Sequence, residues 1–450
     1  MQSHITRRTA IRGVAALAAF ATAGLGLSAC APSGSSGGGI SQADIDAALK
    51  STTDITLDVW GWNDAAPAYA EFTKKYPHIK VNWVKNEGPG DVLTKFQNAV
   101  KAGSGGPDLL GVEYQAISQL ALPGSLQDLS AAGLTDTLSQ YVDSVRKGVQ
   151  VNGKPYALPN DQGPMVMIYN KALYAQAGVT SAPKTWEEFA DAAKKIHALA
   201  PDAYIANAPD AGLATSLLWA SGSKAFQASS AKDLKINLQD DSAKKVATLW
   251  GDLAKEGLLS PVGTWSDEWN RALDNNKLAT LLMGSWMING LDDHAKPAGS
   301  WDVAQIPSFD GKPASAMNGG SGIAMAAGSK KKAAAAGLLQ FLSNPDTQLA
   351  NALAGKVFPS IKSVLSNKDF LGQAFKAYKP GFKANEQGLK SAESVVDGWQ
   401  YLPFQGYAND AYKNYVSKAF TEKTDVNAAF VAWQKDLVDY GTSQGFNVNK

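Results

Sequence analysis

From residue 54 onward the chain alternates short apolar runs with longer amphipathic ones. Residues 54–60 (DITLDVW) show the every-second-residue alternation of a strand. Gly61-Trp62-Asn63-Asp64 is a turn, and 65–75 reads as a helix. A second strand is predicted over 78–85, and a helix over 91–102 with Phe96 and Val100 one turn apart. The breaker Gly103–Pro107 then leads into a third strand, 108–113. This β-α-β-α-β order predicts a mostly parallel sheet with helices on its faces. Ligands of such sheets lie at the carboxyl ends of the strands. Here those ends carry residues 60–64 and Glu113-Tyr114-Gln115.

The stretch 151–171 (VNGKPYALPNDQGPMVMIYNK) organises the rest of the chain. Asn152-Gly153 between apolar runs is a hairpin signal. Pro155, Pro159 and Pro164 fix φ and bias their predecessors to extended backbone. Residues 165–169 predict a buried strand. The polar middle, Asn160, Asp161 and Gln162, suits a chain crossing between lobes along a wet cleft. It suits equally an ordinary loop between two strands of one domain.

Beyond it the alternation restarts. Thr185-Trp186-Glu187-Glu188 is a capping box opening a helix to about Ala200. A short strand at 203–206 comes next, then helices over 210–221, 242–256 and 266–275. Strands are predicted at 278–283, 302–306 and 323–326, the last behind the tight loop 318–322. A helix over 330–342 begins with Lys330-Lys331-Lys332, expected to be its solvated start. Mostly helical sequence continues to Gly441.

At 450 residues the chain is too long for a single core, so two lobes are expected. Lys and Arg number 42 and Asp and Glu 41, leaving no net field to attract nucleic acid. Twelve Trp is high. Trp is ordinarily core, but its flat apolar face also covers a pyranose. Four His and one Cys, with no paired Cys and no His-x-x-x-His, disfavour zinc. No phosphate loop, dinucleotide fingerprint or nucleophile elbow is present, and no cofactor is expected. Paired carboxylates stay open: Glu113 and Asp161 could act as acid and base of a glycosidase.

Arg7, Arg8 and Arg12, then the weakly apolar 11–27, mark residues 1–30 as a targeting segment, excluded from fold reasoning. Cys30 is the sole cysteine, so no internal disulfide can form. Residues 31–53 read as a flexible Gly/Ser linker and a short helix. No later run reaches the ~18 apolar residues of a spanning helix.

Leu27-Ser28-Ala29-Cys30 resembles the bacterial lipobox, whose Cys is lipidated and becomes the first mature residue. Thr6–Arg12 looks like a twin-arginine signal, with Ala10 where that pattern has a large apolar residue, so the export route stays open. In the body, the strand end DVWGW (58–62), Gly106-Pro107-Asp108, NGKPYALP (152–159), Ile168-Tyr169-Asn170-Lys171 and KTWEEF (184–189) occur in order. Met283-Gly284-Ser285-Trp286, Ile306-Pro307 and Gly319-Gly320-Ser321 come after them. Together they resemble the extracellular solute-binding lipoproteins of carbohydrate ABC importers, the group with the maltose-binding proteins, over nearly all of 54–441.

That resemblance implies an α/β, two-lobed, periplasmic-binding-protein-like fold with a ligand cleft between the lobes. It implies hinge crossings near 161–164, 306–308 and 357–360. Lobe one would be 54–161 plus 307–357, and lobe two 162–306 plus 358–450. Carried over residue by residue, the sugar ligands would be Asn63, Asp64, Glu113, Gln115, Asp161, Gln162 and Asp210, with Trp286 stacking and backbone approach at Gly319 and Gly320. Trp62, Trp269, Trp399 and Tyr401 are weaker candidates, for which core packing is the alternative. Glu113-Tyr114-Gln115 departs from the maltose-type loop, so maltose is not implied. The expected protein is a monomeric receptor, not an enzyme. It is anchored through Cys30 on the outer face of the membrane, binds a carbohydrate and delivers it to ABC permease subunits. A cell-surface glycosidase, or the same fold holding a polyol or another polar metabolite, are the alternatives.

A lipid anchor holds because each buried CH₂ contributes about 0.8 kcal/mol. Cys30→Ala is therefore expected to move the protein from the membrane to the soluble fraction on cell fractionation. Retention of that variant in the membrane would refute anchoring.

Overall fold

Two separate sheets carry the core. In the computed structural model the described residues are 39–449, apart from Asp64, Ala131, Gly133, Ala231, Ala295 and Lys356. The leader with Cys30, most of the linker, and Asp64 thus lie outside them.

The first sheet has the order Ile79–Lys85, Ile55–Gly61, Leu109–Glu113, Ser321–Met325, Ala157–Pro159. Its first three strands are parallel. Helices Ala66–Lys75 and Pro89–Ala102 make the crossovers that parallel strands require. Ser321–Met325 inserts from far along the chain, antiparallel to both neighbours. Its register sets Ser321 opposite Glu113, so Gly320 and Glu113 share one edge.

The second sheet has Met165–Asn170 in the middle, with Thr280–Gly284 and Trp301–Gln305 on either side. All six residues of the middle strand are buried, as an unbroken apolar run requires. Both neighbours run antiparallel to it, unlike the strands of 54–113, for which the parallel order was expected. An apolar run carries no direction in its sequence. The pairing direction here returns the chain to the crossings: Gly284 lies opposite Met165, and Gln305 opposite Val166. A small third sheet joins Asn447–Asn449, Asp233–Ile236 and Phe226–Ala228, strands too short to read from their pattern.

Ala157–Pro159 belongs to the first sheet and Met165–Asn170 to the second, so residues 160–164 pass between the sheets and are no loop within one of them. They are pinned from both sides. The Gln162 amide donates to the Phe358 carbonyl at 3.0 Å, and that of Asn318 to the Gly163 carbonyl at 2.7 Å. The hairpin ahead of them forms as expected, with Asn152 at φ 51° and Gly153 at φ 76°. The capping box at Thr185 and Glu188 is also present.

Lys331 departs from the solvated reading. Its ammonium lies 2.9 Å from the Asp108 carboxylate and 3.4 Å from that of Asp58. Asp108 is buried and also accepts from the Asp58 amide at 2.9 Å and the Ser329 hydroxyl at 2.7 Å. A buried carboxylate persists only when paired in this way. The Gly106-Pro107-Asp108 motif thereby ties the first sheet to the start of helix Lys332–Leu342. Among the described residues no helix is long and apolar enough to cross a membrane, and no cluster of three or more His, Cys, Asp or Glu could hold a metal ion.

Candidate functional site

A groove of about 1030 Å³ lies between segments 142–153 and 392–403. One wall is aromatic. Trp219, on helix Ala211–Ala220, lies nearly parallel to Trp399, with centroids 5.8 Å apart and 8° between planes. Tyr401 stands edge-on to both, at 6.2 and 6.4 Å. The indole N–H of Trp399 is buried without a partner. The rest of the lining sets Ser118, Asp143, Lys147, Gln150 and Asn152 among apolar Leu122, Val142, Val151 and Leu365. Lys147 reaches Asp397 at 2.7 Å and holds that carboxyl below the usual range. Asp143, Glu393 and Asp397 against Lys147 and Lys362 leave neither sign in command. An apolar flat face opposite hydrogen-bonding groups suits a ligand with two unlike faces.

Tyr114 and Tyr401 also border a second, smaller cavity of about 190 Å³. Glu113 enters it from the end of the third strand. Gln115 donates to the Glu113 carboxylate at 2.7 Å, and Asn409, on helix Gln405–Tyr412, donates to Gln115 at 3.1 Å. Burial pushes the Glu113 carboxyl up from its usual value, the Gln115 bond opposes this, and the Asp161 charge adds to it. Asp210 caps the helix that carries Trp219, accepting from the Leu213 amide at 2.8 Å. Trp286 donates its indole N–H to the Asn318 carbonyl at 2.9 Å. This fit needs bare backbone: a Cβ on Gly284 would lie 2.2 Å from the Trp286 nitrogen, and one on Gly163 2.9 Å from it. Gly319 and Gly320 line the same cavity at φ 74° and 100°, where glycine is favoured.

Of the residues expected to bind ligand, Glu113, Gln115, Asp210, Trp286, Gly319 and Gly320 are brought together here. Others are not. Trp62 packs over Gly111, whose added Cβ would meet its ring at 2.9 Å, and neither it nor Asn63 lines the groove or the cavity. Asp161 is buried, and its carboxylate is occupied by the Ser321 amide at 2.6 Å and hydroxyl at 2.7 Å. Gln162 is wholly buried and donates to the Pro359 carbonyl at 2.7 Å. Trp269 has no exposure and donates to Asn207 at 3.0 Å, so it is core. These last three hold the fold; none faces either space. With Asp161 so placed, a Glu113–Asp161 acid–base pair has no second member in the cavity.

Sequence reasoning missed Trp219, the polar side chains at 142–153, Tyr114, Asn409 and Trp265. Trp219 sits in a helix whose apolar residues surround it, which reads as core. Trp265, by contrast, is 57% exposed. A lone Trp in a Gly-Thr turn between helices was a usable signal.

The family pattern described as bacterial extracellular solute-binding protein matches residues 67–380. The chain belongs to this family. Among relatives of this solute-binding protein is the lactose-binding protein of Rhizobium radiobacter, 26% identical over 59% of this chain. The aligned part spans 65% of that relative, just under two thirds of its length. The structure of an ABC transporter associated binding protein from B. animalis subsp. lactis Bl-04, in complex with beta-1,6-galactobiose, is 34% identical. It superposes with a TM-score of 0.80 over 88% of this chain and 100% of that one. The galacto-N-biose-/lacto-N-biose I-binding protein of Bifidobacterium longum is 22% identical, with a TM-score of 0.78 over 89% of this chain and 100% of that one, and shares the fold. The two-lobed fold of sugar-binding ABC transporter proteins is therefore the fold of this solute-binding protein.

Two expectations separate structural from cleft residues. Trp269→Ala should cost about 3–5 kcal/mol in urea unfolding, with normal ligand affinity per folded molecule. Glu113 bears on pH. Its carboxyl keeps its proton in the folded protein above the ordinary 4.5, while the unfolded chain releases it there. The folded state then binds more protons, so this group's contribution to stability falls as pH rises from about 4.5 through the raised value. Glu113→Gln should flatten that fall; an unchanged pH profile of the melting midpoint would contradict it.

Proposed function

We propose that this protein is the substrate-binding component of a carbohydrate ABC importer. It captures a short, uncharged oligosaccharide in the groove, closes over it and hands it to the permease subunits. The observation that carries this reading is the Trp219–Trp399–Tyr401 wall facing polar side chains across the groove. Sugar hydroxyls find amides, hydroxyls and carboxylates on one side, and the apolar ring faces find indole on the other. The small net charge of the lining, three carboxylates against two ammoniums, favours an uncharged ligand. The galactobiose complex of a 34% identical neighbour supports β-galactosides as the first class to try, as does the lactose-binding relative.

In this reading lobe one is 54–161 plus 307–357 and lobe two is 162–306 plus 358–450. The crossings act as hinges, and ligand shifts the population to the closed state by touching both lobes. The protein works as a monomer, tethered through lipidated Cys30 outside the membrane.

Calorimetry with lactose and β-1,6-galactobiose should give saturable one-to-one binding, with the sugar recovered intact. Trp399→Ala should weaken binding tenfold to several hundredfold, on the order of the aromatic contribution plus buried area at ~25 cal/mol per Å². Steady release of monosaccharide would favour a glycosidase instead. Unchanged affinity in Trp399→Ala would remove the groove from the reading.

A further inference from the structure

A run of side-chain amides leads from the aromatic wall to the end of the third strand, and it has a direction. The Leu402 backbone N–H donates to Gln405 Oε1 at 3.1 Å. Gln405 Nε2 donates to Asn409 Oδ1 at 2.9 Å. Asn409 Nδ2 donates to Gln115 Oε1 at 3.1 Å, and Gln115 Nε2 to the Glu113 carboxylate at 2.7 Å. Each amide accepts on one side and donates on the other, always toward Glu113. The two ends set that sense. A backbone N–H can only donate, and an ionised carboxylate can only accept. The last bond is charge-assisted, roughly twice as strong as a neutral one, and it polarises the bonds behind it.

The relay joins two bodies. Glu113 ends a strand of the first sheet, and Gln115 lies on the helix Tyr114–Ala121 that follows it. Gln405 and Asn409 lie on helix Gln405–Tyr412. That helix is fastened elsewhere: the Tyr412 hydroxyl donates to the Pro209 carbonyl at 3.0 Å, and the Trp433 indole to that of Ala408 at 3.1 Å. Gln405 has no exposure, so water does not compete for its amide. Beside the relay a cavity of about 280 Å³ opens between the bodies, lined by Leu93, Gln119 and Gly406 among others. Side chains across such a gap lose their dispersion contacts. The polar pair Gln115–Asn409 carries the contact where close packing stops.

We propose that this relay is a clasp that holds the two bodies together and biases the protein toward its closed arrangement before ligand arrives. It rests on the closing motion of the reading above, and not on which sugar is bound. The clasp works in one polarity. Asn409 donates to Gln115 because its own oxygen is taken by Gln405. A carboxylate at 409 has no hydrogen to give. Gln115 then meets an acceptor at 409 or, turned over, an acceptor at 113. A donor at 113 removes the conflict, since the turned Gln115 accepts from 113 and donates to 409.

The test is small-angle scattering on the unliganded protein at about pH 8, where ordinary carboxylates are ionised. Each variant is checked by its melting midpoint. Asn409→Asp should give a larger radius of gyration than wild type at a near-equal midpoint. Glu113→Gln alone keeps the polarity, because its amide oxygen accepts from Gln115, and should stay at the wild-type radius. The double variant should return to that radius. Gln115→Met removes both bonds and adds no charge; it should expand the protein as well, and adding Glu113→Gln should not reverse this. Gln115→Met also decides the matter if Asn409→Asp does not fold. A wild-type radius in both Asn409→Asp and Gln115→Met would overturn the clasp. A double variant that stays expanded would overturn it too, since lost packing predicts that result and reversed polarity does not. Failure of the parent reading looks different: saturating β-1,6-galactobiose then leaves the expanded variants expanded, while the unliganded radii still differ.

Discussion

The structure turns on the hydrogen-bonding of one residue, Asn318. Its amide donates to the Gly163 carbonyl at 2.7 Å, and its carbonyl accepts from the Trp286 indole at 2.9 Å. Its side chain accepts from the Gly284 amide and donates to Ser216, both at 3.2 Å. Three pieces of chain, distant in sequence, are thus joined to Asn318: the passage between the sheets at Gly163, the strand end at Gly284 with Trp286 just after it, and the helix that carries Trp219. Buried backbone polar groups must be paired. Here one residue pairs four polar groups, and the surrounding glycines let the backbones approach closely enough to do so.

The consequence for binding is a rigid scaffold beside a weakly fastened opening. Across the groove Lys147 meets Asp397, and beside the smaller cavity Gln115 meets Asn409. Exposed ion pairs of this kind contribute only about 0–1 kcal/mol. On the capture reading proposed above, a ligand that touches both walls shifts the balance between open and closed arrangements with ordinary binding energy. The polar groups between the two sheets, Asp161 and Gln162, are by contrast engaged with Ser321 and Pro359.

The same division explains why polar residues near the cleft split into two kinds. Those whose hydrogen bonds are met inside the protein, such as Asp161, hold the frame. Others keep one polar atom without a partner, as do the Trp399 indole beside the groove and the Thr215 hydroxyl beside the smaller cavity. Burial alone does not tell the kinds apart; the hydrogen-bond partners do.

Periodicity by itself determined most elements and their order. The parallel half of the first sheet, the Asn152-Gly153 hairpin, the Thr185 capping box and the Asp210 cap were legible because each depends on neighbours a few residues away. The order of short motifs along the chain was enough to indicate the family. What only the tertiary structure decided was direction and company. Nothing in an apolar run says that Thr280–Gly284 and Trp301–Gln305 lie antiparallel to Met165–Asn170. Nothing local says that Lys331 meets Asp108, that Trp269 is core while Trp265 is exposed, or that Trp219 faces a groove. A tryptophan at an apolar helix position has the same sequence signature in either place. Its role is set by which distant backbone fills the space above it, and that depends on contacts between segments far apart in the chain.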